Sequence, residues 1–434
     1  MRDLGRSDDP RVQAQLDRLS GLSIQRDTLG LDAIRELLSR LGDPHKRLPP
    51  VFHVAGTNGK GSTCAFLRAM LEAEGYTVHV TTSPHLVRYN ERFRIAGQLI
   101  EDARLAELLE EIFDAAEGLG CSFFEITIAA AFVEFARVPA DACVVEVGLG
   151  GRLDATNVLE PDVLAACGIA ALGIDHERFL LAPEEDVPQV PMARIAFEKA
   201  GIAKKGVPLV TLGEHYPPEA REAIAEVASS AAAPVIEIGK DAEREFKEIK
   251  LGIGGAYQPA NATLASAMLR SQDLLSISDT SVVKGAARAY WPARMQQLSA
   301  GPLTQGITVP VFLDGAHNAN AAQALGEAIG DGPLVLVSGI LKNRGPGAIF
   351  APFKGKVSRF AAVPVAGHEH HDPKDLCVHA IDLFELGGAY PADGPEAVFQ
   401  WLREKPPAPG ETVLILGSLY LAGEFLKLND EIPD

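Results

Sequence analysis

The stretch His53–Ser62, HVAGTNGKGS, sets a lysine between two glycines where a β-forming run gives way to a helical pattern. Glycines there let successive backbone N–H groups converge on an anion, and a lysine can lie across it with the helix dipole adding attraction. The chemistry this permits is phosphate binding. The stretch departs twice from the usual G-x-x-x-x-G-K-[ST] pattern. Val54 stands where the first glycine would be, and Gly61, not Ser or Thr, follows Lys60. Val54 is therefore expected to end the feeding strand, and Ser62 or Thr63 to pass a hydroxyl to a magnesium ion.

Other residues could complete such a site. Glu146 interrupts the apolar run CVVEVGLGG, where an acid is costly unless paired or metal-bound. Ser83, in TTSPHL, and His176, in GIDHERF, fall at the ends of expected strands, where α/β proteins bind ligands. Three histidines crowd GHEHHDP (Gly367–Pro373), which reads as a solvated or substrate-facing loop before a helix rather than a zinc site. The five cysteines show no metal-type spacing and read as reduced core thiols of a cytoplasmic protein.

Positioning these groups requires a scaffold. Residues 8–42 carry helical periodicity with a Gly-Asp-Pro stop. PPVFHVAGTNGKGSTCAFLRAMLEAEGYTVHVTTSP reads strand, loop, helix, strand, which implies a parallel sheet. The same rhythm returns after the Gly/Ser/Thr/Pro-rich stretch Ser299–Gly306, the best linker candidate, in VPVFLDGAHNANAAQALGEAIG and GPLVLVSGI. Two α/β domains are expected, residues 1–298 and 299–434, with a shared site in the cleft between them. The 434 residues are 47% hydrophobic and 23% charged, enough for full cores. A formal net charge of -18 opposes binding to nucleic acid or anionic membranes, so an anionic substrate needs local cations. The first 20 residues are too charged for a signal peptide, and no run of about 18 apolar residues suggests a membrane span.

HVAGTNGKGST, TSPHLVRYNERFRIAG, EVGLGGRLDATN, GIDHE, AFEKAGI, WPARMQQL, FLDGAHN and GSLYLAGE occur in order along nearly the whole chain. Together they resemble the folylpolyglutamate synthase/dihydrofolate synthase family, of the bacterial bifunctional type, within the Mur ligase superfamily. The resemblance implies a Mur-ligase-like α/β fold: a parallel-sheet ATPase domain with a phosphate loop, then a smaller Rossmann-like C-terminal domain. It implies ATP-driven attachment of L-glutamate to dihydropteroate and to tetrahydrofolate through an acyl phosphate. Single-activity synthases, a Mur-like amino-acid ligase and a lapsed nucleotide-binding module are the rival readings. The partners implied are small molecules only, acting on a monomer.

Carried over position by position, Thr57, Asn58, Gly59, Lys60, Gly61 and Ser62 hold the phosphates. Asn261, Arg294, Asp314 and His317 match the other ATP contacts. Ser62, Ser83 and Glu146 match ligands of a first Mg2+, and His176 with Lys199 a second. Lys199 matches a lysine that is carbamylated in the family, although its residue type alone suggests a solvated helix position. Whether K+ is also needed stays open. Leu29, Gly30 and Leu31, Ser122, Phe123, Phe124 and Glu125, and Leu153, Asp154 and Ala155 match the pteroate site. Phe123 or Phe124 can stack on a flat pterin, and Asp154 can accept from its N–H groups. Three stretches depart from the family's pattern: a long, acidic connection between His176 and Lys199, GILKNRGP in place of a more acidic stretch, and Ala319 where proline is common.

Overall fold

A computed structural model describes residues 7–22, 30–330 and 332–434. The apolar runs that do not alternate must be covered on both faces, and they form two mostly parallel sheets. The first sheet contains β1 (Val51–Ala55), β2 (Val78–Thr81), β3 (Arg94–Ile95), β4 (Gln98–Leu99), β5 (Ala142–Glu146), β6 (Leu164–Ile169), β7 (Leu209–Thr211) and β8 (Val235–Glu237). Its order is β4-β3-β2-β5-β1-β6-β7-β8, with only β3 running against the rest. The second contains β9 (Gln296–Gln297), β10 (Val311–Leu313), β11 (Leu334–Ser338), β12 (Val357–Ala362), β13 (Tyr390–Pro391) and β14 (Thr412–Leu416). Its order is β13-β12-β11-β14-β10-β9, with β9 the antiparallel edge.

The expected strand–helix–strand unit is present, but its strands are not neighbours. β5 lies between β1 and β2, and in the second sheet β14 lies between β10 and β11. The chain leaves β1 toward one edge of the sheet and leaves β6 toward the other. Adjacent strands with diverging connections open a crevice at their carboxyl ends, where such sheets bind ligands. β1 also runs one residue further than Val54, through Ala55, which is fully buried beside Ile169 of β6.

The helix Lys60–Glu74 starts from Gly59 in the left-handed region, φ 83°, and stops at Gly75, φ 108°. Residues Gly61 to Leu67 are all buried in it, because the helices Gln258–Arg270 and Asp279–Arg288 pack on the face away from the sheet. A phosphate loop on a helix clamped from three sides cannot drift. The chain crosses between sheets at Trp291–Met295, ahead of the expected linker. Ser299–Gly306 instead folds against the second unit, with the Leu303 and Thr304 N–H groups donating to Asn429 at 3.1 and 3.2 Å.

The units also touch through apolar groups. Leu86 and Val87 of the first pack on the second unit's core. Gly423, in the helix Leu419–Leu428, is placed so that a Cβ would lie 1.8 Å from the Leu86 carbonyl oxygen. Backbone is the obstacle there, so the helix and the Leu86 segment cannot yield by a rotamer change. Gly423→Ala is expected to lower stability by about 1–3 kcal/mol, the usual cost of overpacking, read as a lower denaturant midpoint; an unchanged midpoint contradicts this packing.

Candidate active site

A cavity of about 1580 Å3 lies between the two units at the carboxyl ends of β1, β2, β5, β6 and β10. The phosphate loop forms part of its wall, and close approaches explain its composition. Thr57 and Asn58 N–H groups both donate to the Ala171 carbonyl beyond β6, at 2.8 and 3.1 Å. A Cβ on Gly56, φ 147°, would lie 2.8 Å from Ala170 Cβ, and one on Gly59 2.4 Å from Asn261 Oδ1. A Cβ on Gly61 would lie 2.8 Å from the Trp291 indole. The residue after Lys60 is therefore glycine because an aromatic ring from the crossing segment rests on it. The hydroxyl duty passes to Ser62, which is buried and accepts from Gln258 Nε2 at 3.3 Å.

Glu146 is 4% exposed, with Lys60 Nζ 3.9 Å from its Oε1 and the Ser83 N–H donating to Oε2 at 3.1 Å. Burial pushes its carboxyl up, and Lys60 opposes that. Lys199 is not a solvated helix lysine: it is 4% exposed and donates to the Gly56 carbonyl at 2.9 Å. The helix Pro191–Ala200 turns that face into the core behind the loop, and so Lys199 sits behind the cavity wall rather than in it. Burial first, then the Lys60 charge, hold its amine down at about 7. His176 has φ 53° and caps the short helix Glu177–Leu180; burial holds it down at about 4, despite Asp175 beside it.

No group of three or more His, Cys, Asp or Glu side chains among the described residues is arranged to hold a metal. The residues fit a hard cation otherwise, since a buried carboxylate and serine hydroxyls converge at a helix N-terminus, leaving phosphates and water to finish an octahedron. Lys199 as an amine offers no oxygen to such an ion. It would do so only once carbamylated.

The opposite wall carries Gly30, Ser122, Phe123, Phe124, Glu125, Leu153, Asp154 and Ala155. Leu31 packs on the first unit's core instead of lining the cavity, and Leu29 lies outside the described residues. Ser122 and Glu125 form a capping box on the helix Phe123–Arg137: the Ser122 N–H donates to Glu125 Oε2 at 2.7 Å. The other carboxylate oxygen, Oε1, is buried without a hydrogen-bond partner. Phe124 lies over Gly148, and Phe123 meets Tyr89 edge-on with the Arg92 guanidinium 5.4 Å from its centroid. Asp154 is spent on its own turn, accepting from Thr156 N–H at 3.0 Å and Leu149 N–H at 2.8 Å.

From the second unit come Asp314 and His317, with Arg294 on the crossing. Ala293 and Met295, φ 53° and 44°, flank Arg294 in the left-handed region. Asp314 holds that strained bend through the Met295 N–H at 2.8 Å and takes the Tyr257 hydroxyl at 3.0 Å. Motif reading missed Trp291, Gln258, Asp175, Asn318 and Arg344. Trp291 and Asn318 stand inside WPARMQQL and FLDGAHN, but their contacts reach residues some 230 and 260 positions away, and no local pattern encodes that.

Two α/β units closing on a glycine-lysine loop, with a buried carboxylate opposite an aromatic wall, define an ATP-using ligase rather than a simple nucleotide switch. No model of a known protein family matches the chain. Individual proteins do match. It is 32% identical to "Dihydrofolate synthase/folylpolyglutamate synthase" of Bacillus subtilis (strain 168), over 92% of this chain and 94% of that one. Among solved structures it is similar to "E.coli FolC in complex with DHPP and ADP", with a TM-score of 0.80 at 28% identity, over 96% and 97% of the two chains. The Yersinia pestis bifunctional enzyme "complexed with AMPPNP and Mn ion" gives a TM-score of 0.80 at 27% identity, over the same shares. The chain belongs to the dihydrofolate synthase/folylpolyglutamate synthase family.

The Lys199 amine gives a pH signature. Between pH 7 and its ordinary 10.5 the unfolded chain holds a proton that the folded chain has released, so stability rises with pH across that window. In carbon dioxide-free buffer Lys199→Met is expected to remove up to about 1.4 kcal/mol per pH unit of that slope. Denaturant midpoints at pH 7, 8 and 9 check it, and an unaltered slope contradicts the buried amine.

Proposed function

We propose that this chain is the bifunctional ligase: it attaches L-glutamate to dihydropteroate and to tetrahydrofolate, using ATP and a divalent cation. One observation carries the reading. A single cavity is lined by the phosphate loop and also by an apolar wall with an unpartnered carboxylate oxygen on Glu125. A pterin presents a flat ring and N–H donors, which suit Phe124 and that oxygen. ATP suits the loop.

The two steps balance as follows. A carboxylate oxygen of the pteroate substrate attacks the γ-phosphorus, and the bond to the ADP oxygen breaks. The glutamate amine, having lost a proton, then attacks the acyl carbon, and phosphate leaves with the oxygen that attacked. Such transfer needs positioning and charge neutralisation more than covalent help from the protein. Lys60 lies across the phosphates, and Asn58, Gly59 and Ser62 orient them by N–H and hydroxyl groups. Asn261, Arg294, Asp314 and His317 close on the nucleotide from the other side. Ser62, Ser83 and Glu146 would hold a divalent cation, which when bound would withdraw charge from the phosphates. His176 is kept neutral, as a metal ligand must be. Lys199, with an amine largely neutral at mildly alkaline pH, is ready to take up CO2 and become an oxygen donor to a second cation. The first unit, up to the crossing at Trp291–Met295, binds phosphate and pteroate in this scheme, and Arg294 with the second unit completes the nucleotide site. Five free, buried cysteines favour the cytoplasm as its place of work.

Purified protein with ATP, Mg2+ and glutamate should release phosphate with dihydropteroate and with a reduced monoglutamyl folate, each product gaining glutamate by mass. Lys60→Ala should lower both turnovers by about 10³-fold, the scale of losing a charge-stabilising donor. Turnover with neither substrate would sink the proposal, and turnover with one alone would reduce it to a single-activity synthase.

A further inference from the structure

One buried carboxylate collects contacts from both units. Asp175 follows β6 and is 6% exposed. Its Oδ1 accepts the His176 N–H at 2.7 Å and an Arg344 guanidinium N–H. Its Oδ2 accepts from the Asn318 amide at 3.3 Å and stands 4.0 Å from His317 Nε2. Arg344, Asn318 and His317 all belong to the second unit. Asn318 also exchanges hydrogen bonds with Asn58 of the phosphate loop, at 3.0 and 3.3 Å, and caps the helix Ala319–Ala328 by accepting from Ala321 N–H. The phosphate loop, the segment carrying His176 and the second unit therefore meet at one junction.

Arg344 is itself held from behind by the histidine-rich loop. His371 Nε2 donates to the Arg344 carbonyl at 2.8 Å, and its backbone N–H donates to Ile340 at 2.9 Å. Lys342 N–H donates to Glu369 at 2.9 Å, and Leu341 bridges His370. His370 Nδ1 bonds its own loop, and His368 stacks on Tyr420 at 3.9 Å. His371 and the backbone of Glu369 and His370 thus brace the turn between β11 and its following helix, Pro346–Phe350.

We propose that Arg344 is a positioning residue: by docking on Asp175 it sets the second unit over the phosphate loop, and the Gly367–Pro373 loop is its brace. This rests on the ligase reading above. A charge pair this dry adds little net stability, because desolvation offsets attraction, but it tolerates little misplacement. Together with the covalent crossing at Trp291–Met295 and the Leu86–Gly423 packing it gives the second unit three separate attachments, which is what a defined angle between rigid bodies needs. Arg294, Asp314 and His317 can act on a nucleotide held by the first unit only at that angle.

The test uses the full chain, with melting temperature as the check on folding. Arg344→Ala should lower kcat about ten- to a hundredfold, the scale of a small misplacement of reacting groups. The KM for dihydropteroate, bound by the first unit, should move less than about threefold. Arg344→Lys should recover part of the loss, and His371→Ala should reproduce it in weaker form with Arg344 intact. In Asp175→Asn/Arg344→Ala the loss should not exceed that of the worse single variant, since both remove one contact. Small-angle scattering with a non-hydrolysable ATP analogue should give Arg344→Ala a larger radius of gyration than wild type. A kcat within about twofold of wild type, multiplying losses in the double variant, or an unchanged radius would each overturn the proposal. A wild-type protein without turnover would instead count against the ligase reading, and the scattering would still decide the docking.

Discussion

Two lysines and one carboxylate meet at the phosphate loop, Lys60 and Glu146 on the cavity wall and Lys199 behind it, and much of the fold exists to keep them there. Lys60 stands 3.9 Å from Glu146, while Lys199 has only a carbonyl to donate to. Cations so placed repel one another, which is part of why the Lys199 amine is held down. Asp175, Asp154 and Glu198 act the other way on that amine, so Lys60 is the cation the loop offers to an anion. In a chain of net charge -18 it is also the local attraction that an anionic nucleotide needs against the global field. β1, β5 and β6, buried on both faces, and the helices over Lys60–Glu74 hold the three groups in place.

Close approach by backbone and rings is the second constraint. Gly61 yields its place to Trp291, Gly59 to Asn261, and Gly423 to Leu86. Each joins segments far apart in sequence, and each would be lost to a single methyl group. The loop's departure from the common phosphate-binding pattern is thus a packing requirement of the crossing segment, not decay of the site.

Much of this was legible in the residues. The strand–loop–helix punctuation around Lys60, with Gly75 as the stop, located the loop, and the acid inside an apolar strand singled out Glu146. The motifs in order supplied the family and, with it, most of the residues that line the wall opposite the loop. Strand order was not legible, because β5 enters between β1 and β2 through contacts no local pattern encodes. Lys199 was misjudged on residue type alone, since lysine is usually exposed and only the packing of the helix Pro191–Ala200 against the loop buries it. The histidine-rich loop read as solvated or substrate-facing, yet its side chains are committed to neighbouring backbone and to Tyr420. Asp154 suited a pterin by type, and it lines the cavity while also accepting from the turn that presents Leu153.

The central claim is that the substrate carboxylate itself attacks ATP, and the fate of an oxygen atom tests it most directly. Dihydropteroate labelled with 18O in its carboxylate, turned over with ATP and glutamate, should release phosphate carrying one 18O, with the other label retained in the amide. Unlabelled phosphate, with the lost label in water and one label in the amide, would contradict the acyl phosphate and with it the account of this site.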